Sequence, residues 1–310
     1  MMPLVPEVAV QLDHVRRSFG EKPALVDLSI TAPSGTITVL LGPNGAGKTT
    51  AVRMITGALS PESGTVLVHG LDPSIDGEEV RRRCGVVAAK PALYDRLSGY
   101  DNLAYSADLY RVSRAGIAAA AERFGISSAL DRQVGGYSTG MKTRLALARS
   151  VLHEPDLLLY DEPTSGLDPE SSIAVLELIH EMAGEGRTII MCTHLLLEAE
   201  GLADQVVVLE AGRDVVAGPP AELTRRYWPD TVVRIAATEP AALLALADRP
   251  GVLGVELDGE GPAVVRLDDI ARVPDLVDAL VSGGTRVTRV EPFTPTLEDL
   301  YFAVRGIRGQ

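Results

Sequence analysis

Lysine is scarce in this sequence: Lys22, Lys48, Lys90 and Lys142 are the only ones among 310 residues, and arginine supplies the rest of the 29 basic side chains. A lysine inside a glycine-rich loop is therefore worth attention. Against 42 acidic residues the formal net charge is -13, so the basic excess that phosphate-backbone recognition needs is missing and no nucleic acid partner is expected. The acidity reads as a solvated surface. Only two cysteines occur, Cys84 and Cys192; they lie far apart and match neither a zinc pattern nor a disulfide framework. Uninterrupted apolar runs of the ~18 to 20 residues needed to cross a bilayer are also lacking. Met1 to Val10 has neither the basic start nor the apolar core of a signal peptide, so a cytosolic chain is expected.

What is present points to an ordinary globular protein with 46% apolar residues, at a length that favours two domains. Val8 to Val15 alternates in polarity like a half-buried strand near a sheet edge. Thr36 to Leu41 is continuously apolar or β-branched, like a central strand covered on both faces. A helix is predicted over Thr50 to Leu59, stopped by Ser60-Pro61, and a strand over Ser63 to Val68. Leu93 to Leu152 has Ala, Leu and Arg at helical spacing and reads as a helical subdomain, about 93–152. Short buried strands return at Asp156 to Tyr160, Thr188 to Cys192 and Val206 to Leu209, giving a largely parallel α/β sheet with a helical insertion. Past Gly218-Pro219-Pro220 a second domain is expected. Its predicted order is strand Thr231–Ala237, helix Pro240–Ala247, strands Val252–Leu257 and Ala263–Leu267, helix Val273–Val281 and strand Thr285–Val290, a ferredoxin-like α+β pattern. Leu297 to Val304 reads as a last helix. The expected division is 1–220 and 221–310.

The segment Gly42-Pro43-Asn44-Gly45-Ala46-Gly47-Lys48-Thr49 fits the P-loop pattern between a buried strand and a helix. Glycines let successive N–H groups point at phosphate oxygens, and the helix N-terminus adds positive charge; Thr50 follows within the same cradle. Lys48 is the candidate for the β- and γ-phosphates, and the Thr49 hydroxyl for Mg²⁺. Leu157 to Tyr160 is an apolar strand followed by Asp161 and Glu162, two carboxylates at the sheet's carboxyl edge. This resembles a Walker B element, with Asp161 holding Mg²⁺ and Glu162 acting as general base.

Tyr137-Ser138-Thr139-Gly140-Met141, ahead of that strand, makes the resemblance specific: the chain resembles ABC transporter ATP-binding subunits, in particular the drug-export and ABC-2-type branch. The resemblance implies that Ser138 and Gly140 meet the γ-phosphate of ATP held by an opposite subunit. Thr139 departs from the family's usual glycine. Ser138 is equally a helix N-cap, a residue that presents donors an anion needs. Leu97-Ser98-Gly99 imitates half the signature in the wrong place and is assigned a turn-and-cap role. Ser165-Gly166-Leu167-Asp168 resembles the D-loop that crosses the dimer interface. His194 resembles the switch histidine, and Phe19 the aromatic that stacks on adenine, a contact needing only a flat π face.

One position departs from the family. In Cys84-Gly85-Val86-Val87-Ala88-Ala89-Lys90-Pro91 the residue matching the family's glutamine is Ala89, whose side chain neither donates nor accepts. The resemblance implies an ATPase (P-loop NTPase fold) that uses ATP and Mg²⁺, pairs as a homodimer or pseudo-dimer, and powers a separate transmembrane permease from the inner face of the membrane. Pro295 to Leu300 fits the C-terminal extension of exporter ATPases. Two other readings stand beside this one: a soluble ABC ATPase of translation or DNA repair, and an ATP-gated regulatory module suggested by Ala89.

Overall fold

The computed structural model describes residues 7–257 and 262–306. It divides into two compact units, Met1–Pro220 and Ala221–Gln310. In the first, strands β1 (Val8–Phe19), β2 (Lys22–Pro33), β3 (Ile37–Leu41), β4 (Ser63–Val68), β5 (Cys84–Val87), β6 (Leu157–Asp161), β7 (Thr188–Thr193), β8 (Gln205–Glu210) and β9 (Arg213–Gly218) form one sheet in the order β4-β1-β2-β9-β8-β3-β7-β6-β5. Every residue of β3, β6 and β7 is buried, as strands covered on both faces must be. Their register is parallel and in step: Leu41 lies opposite Thr193, and Asp161 opposite Cys192. The chain therefore leaves these three strands at one level, with Gly42, Glu162 and His194 as the first residues beyond them.

The expectation of a largely parallel sheet holds for β8-β3-β7-β6-β5 and for the contact of β2 with β9; the other pairings are antiparallel. β1 pairs antiparallel with both β2 and β4, and β8 turns back antiparallel into β9. The β8–β9 turn is made by Ala211 and Gly212, both at positive φ, the backbone twist that suits a two-residue hairpin. A Cβ on Gly212 would lie 2.8 Å from the Ala24 carbonyl oxygen, so β2 passes too close for any other residue.

Helices α1 (Lys48–Ile55), α2 (Gly77–Arg82), α3 (Gly99–Tyr110), α4 (Gly116–Arg123), α5 (Thr139–Val151), α6 (Pro169–Gly184) and α7 (Leu196–Glu200) complete this unit, and α8 (Pro220–Tyr227) leads out of it. α3 to α5 lie in the stretch expected to be helical. Ser98 caps α3 by accepting from the Asp101 N–H at 3.0 Å, the role assigned to it from sequence. Among the described residues no helix is long and apolar enough to cross a membrane.

The second unit is a four-stranded antiparallel sheet of β10 (Thr231–Ala237), β11 (Val252–Leu257), β12 (Ala263–Leu267) and β13 (Val287–Phe293), ordered β11-β12-β10-β13. With α9 (Val273–Ser282) before β13 and a helical segment after β10, this is the ferredoxin-like arrangement. That segment, Pro240–Asp248, is a 3-10 helix, not an α-helix. A pitch of three residues brings Leu243 and Leu246 onto the same face, and both are buried in the core with Val233, Ile235, Val265 and Leu280. α10 (Leu297–Val304) opens on a capping box between Thr296 and Asp299, which satisfies two N-terminal donors at once.

His153 sits just past α5 against β5. Its ring stacks on Tyr110 with centroids 3.7 Å apart, Nε2 lies 3.0 Å from the Cys84 carbonyl oxygen, and Nδ1 is buried with no partner. Burial holds its pKa below the usual histidine value, so the unfolded chain takes up the proton first. Stability from the neutral ring is then complete above the unfolded pKa of about 6.5 and is lost as pH falls below it. The urea midpoint of the parent protein is expected to exceed that of His153→Gln near neutral pH, and the gap to shrink steadily toward about pH 5. A gap that widens on acidification contradicts this placement of the ring.

Candidate functional site

The loop from Gly42 to Gly47 joins β3 to α1 and is wedged under the β8–β9 turn. A Cβ on Gly42 would lie 2.4 Å from the Leu209 carbonyl oxygen, and one on Gly47, at φ +112°, would lie 2.5 Å from Leu25 Cδ2. The Gly212 N–H donates to Ala46 O at 3.1 Å. This packing fixes the loop from behind and leaves its front open on a cleft of ≈ 380 Å³ lined by Phe19, Asn44, Gly45, Lys48, Thr49, Thr50, Ala89 and Glu162.

Lys48 is buried and folds back so that Nζ donates to Gly42 O at 2.5 Å. Its charge is balanced by Glu162, whose Oε1 lies 3.1 Å from Nζ but outside hydrogen-bonding geometry. The other oxygen, Oε2, is 2.7 Å from His194 Nδ1. Glu162 reaches both because its backbone is in the left-handed region at φ 52°, with its N–H donating to Cys192 O at 2.9 Å. A non-glycine residue held at such a φ is strained, and strain of this kind gathers at functional positions.

Asp161, the last residue of β6, accepts the Thr49 hydroxyl on Oδ2 at 2.7 Å. Its Oδ1 is buried without a partner. Burial pushes the Asp161 pKa up, with Glu162 adding to the effect and Thr49 and Lys48 opposing it. An orphaned carboxylate oxygen beside a hydroxyl, short of positive charge, is a donor set that fits a hard divalent cation. Asp161 and Thr49 are thus the residues that would hold one.

Phe19 ends β1 at the mouth of the cleft, 49% exposed, with the Arg17 guanidinium 5.5 Å from its ring centre. Ala89, exposed and two residues past β5, lines the same cleft. The structure thus gathers Phe19, the loop Gly42 to Thr50, Asp161, Glu162 and His194 around one cleft. Ser138, Gly140 and Asp168 lie outside it. Ser138 caps α5, accepting the Met141 N–H at 3.2 Å, and stays exposed. Asp168 caps α6 through Ser171, by its N–H at 2.9 Å and its hydroxyl at 2.7 Å, and these bonds hold the Asp168 carboxyl below the usual range. A Cβ on Gly140 would come 3.2 Å from Ser171 Oγ, so the two caps form one surface group apart from the cleft.

Further residues at the site carried no role in the sequence. Thr193 Oγ1 donates to Glu198 Oε2 at 3.0 Å and accepts the Leu195 N–H at 3.0 Å, which pins the turn carrying His194. A threonine closing a buried strand five residues before a glutamate was the available signal. Lys22, Pro23 and Ala24 also line the cleft, on a strand the sequence reading did not assign.

A glycine loop between parallel strand and helix, facing a carboxylate pair at the next strand ends, defines a P-loop nucleoside-triphosphate hydrolase. A family model described as ABC transporter matches residues 25–165. Among curated proteins, the Nod factor export ATP-binding protein I of Rhizobium meliloti is 35% identical over 306 residues, covering 97% of this chain and 89% of its own length. The daunorubicin resistance ATP-binding protein DrrA3 of Streptomyces coeruleorubidus is 34% identical over 306 residues, covering 97% and 96%. A solved ATP binding subunit of an ABC transporter superposes with a TM-score of 0.65 at 28% identity, covering 71% of this chain and 93% of that one. The chain belongs to the family of ABC transporter ATP-binding proteins, and it binds and hydrolyses ATP.

Gly42→Ala forces a methyl against the backbone of Leu209, where no flexible side chain can give way. It is expected to cost about 1–3 kcal/mol of stability and to weaken ATP binding at least about tenfold. Thermal melts with and without nucleotide check both: the ATP-dependent rise in melting temperature should vanish in the variant.

Proposed function

We propose that this chain is the motor subunit of an ABC exporter, closing two copies head to tail around two Mg-ATP molecules and working on a separate membrane permease from the inner face of the membrane. Export is supported by the relatives, whose names are those of Nod factor export and daunorubicin resistance proteins. Pairing is supported by the division of the site: Ser138 and Gly140 are exposed or half-buried at a helix N-terminus yet outside their own chain's cleft, which suits a phosphate presented to Ser138 by another copy. The exposed aromatic surface of Tyr94 and Tyr105, both about half exposed, follows directly on the segment containing Ala89 and suits contact with the permease.

The observation that carries the hydrolytic mechanism is Glu162 lying between Lys48 and His194. A triphosphate in the glycine cradle draws Lys48 Nζ from the Gly42 carbonyl to its own oxygens. Glu162 is then released to take a proton from water as the water oxygen bonds to the γ-phosphorus and the bond from that phosphorus to the β–γ bridging oxygen breaks, releasing ADP and inorganic phosphate, while His194 steadies the developing charge. Thr49 and Asp161 would hold Mg²⁺, which when bound would supply neutralisation of the phosphate oxygens. Ala89 offers the water and the metal nothing, so basal turnover is slow.

Glu162→Gln keeps size and hydrogen bonding but removes the base, and turnover should fall on the order of 10²- to 10⁴-fold. Phosphate release together with size exclusion in Mg-ATP reads both sides: hydrolysis lost, and a nucleotide-dependent dimer accumulating. Near-normal turnover would refute the general-base assignment. Ala89→Gln is expected to raise basal hydrolysis several-fold or to tighten its response to the permease; a variant unchanged in both removes the proposed role of that position.

A further inference from the structure

Helix α6 carries the apolar residues Ile173 and Leu176 outside its buried face. Val175, Ile179 and Met182 face the core and are fully buried. A second stripe at Ile173, Leu176, Glu177, His180 and Glu181 follows the i, i+3, i+4, i+7, i+8 spacing of one helix face and is turned outward, with Ile173 58% exposed. Leu197 on α7, 81% exposed, and Leu202 stand opposite. Between them is a groove of ≈ 480 Å³ lined by Leu176, Glu177, His180, Glu181, Leu197 and Leu202 with Glu198 and Gly201, sharing no lining residue with the nucleotide cleft.

Its rim carries one sign of charge. Glu177 and Glu181 are exposed and sit four residues apart, where like charges repel, and among the described residues no cation is paired with either. An apolar floor between unneutralised carboxylates is complementary to a helix with apolar anchors on one face and Lys or Arg on its flanks. We propose that the α6–α7 groove is a docking site for a basic amphipathic helix of a partner protein. The bound helix rests on α7, the element whose Glu198 accepts from Thr193 beside His194, so the docked partner touches the wall that holds the switch turn.

The probe is a fluorescein-labelled 18-residue helix of leucine and lysine with leucines at helical spacing, titrated with the full chain at physiological salt and followed by anisotropy. Its counterpart carries glutamate in place of lysine. The lysine peptide should bind, the glutamate peptide at least about tenfold more weakly. Leu197→Ser, at a position exposed enough to leave the fold intact, should weaken the lysine peptide by a similar factor, and Glu177→Lys with Glu181→Lys should reverse the preference between the two peptides. None of these residues lines the nucleotide cleft, so basal ATPase activity should be unchanged in all three proteins, which separates this result from the fate of the exporter reading. Equal affinity of the lysine peptide for parent and variants places its binding elsewhere and overturns the proposal. So does light scattering that shows the parent self-associating and Leu197→Ser not, because the occupant is then a second copy.

Discussion

The site depends on β3, β6 and β7 ending in step. Parallel register sets Leu41 beside Thr193 and Asp161 beside Cys192, so the P-loop, the carboxylate pair and the histidine turn emerge within one residue of the same level without any long-range loop having to find another. Once the strands are in register, the remaining freedom is local. Gly42 fits under Leu209 because it has no side chain, Glu162 turns through a left-handed backbone, and Thr193 ties down the turn after β7. Each of these is a short-range constraint hung on a rigid scaffold, the arrangement in which loops hold chemistry to useful precision.

The scaffold also decides which parts of the nucleotide's surroundings one chain can supply. Under the proposed function the cleft would supply a base platform, a phosphate cradle, a metal ligand pair and a proton acceptor. The caps at Ser138 and Asp168 are held against each other through Gly140 and Ser171, on a different surface. Capping leaves the Ser138 hydroxyl, which accepts from Met141, with a proton still to donate, as the proposed anion contact requires. A site split in this way does not need the two surfaces to approach within one copy.

How far the sequence revealed this differs from element to element, for physical reasons. β3, β6 and β7 were legible because burial on both faces leaves only apolar residues, and the P-loop because its glycines are dictated by backbone contacts. The ferredoxin-like unit was legible from strand and helix order alone. β2 and β9 were not: Lys22–Pro33 carries Asp27 and Ser29 within a half-buried pattern, and its pairing with β1 is broken by register shifts, so no clean alternation survives. The segment Pro240–Asp248 has α-helical composition, and its 3-10 pitch follows from packing Leu243 over Leu246, which only the tertiary structure specifies. The Lys48–Glu162 ion pair was equally invisible, since sequence reasoning gave each residue its role toward nucleotide and none toward the other.

That ion pair links binding to chemistry. Lys48 and Glu162 are both largely shielded from water, with side chains 6% and 13% exposed, and removing either charge from such a pair leaves the other uncompensated at a cost of about 3–5 kcal/mol. A ligand that takes Lys48 must therefore supply negative charge in return, and a triphosphate does so while a neutral nucleoside does not. The same exchange frees the Glu162 oxygen that Lys48 had held, leaving it oriented by His194 alone. Under the proposed mechanism, in which Glu162 is the base, the carboxylate is restrained by lysine while the cradle is empty and is freed when phosphate fills it, so the protein's own electrostatics would keep the reactive state from forming before the substrate is in place.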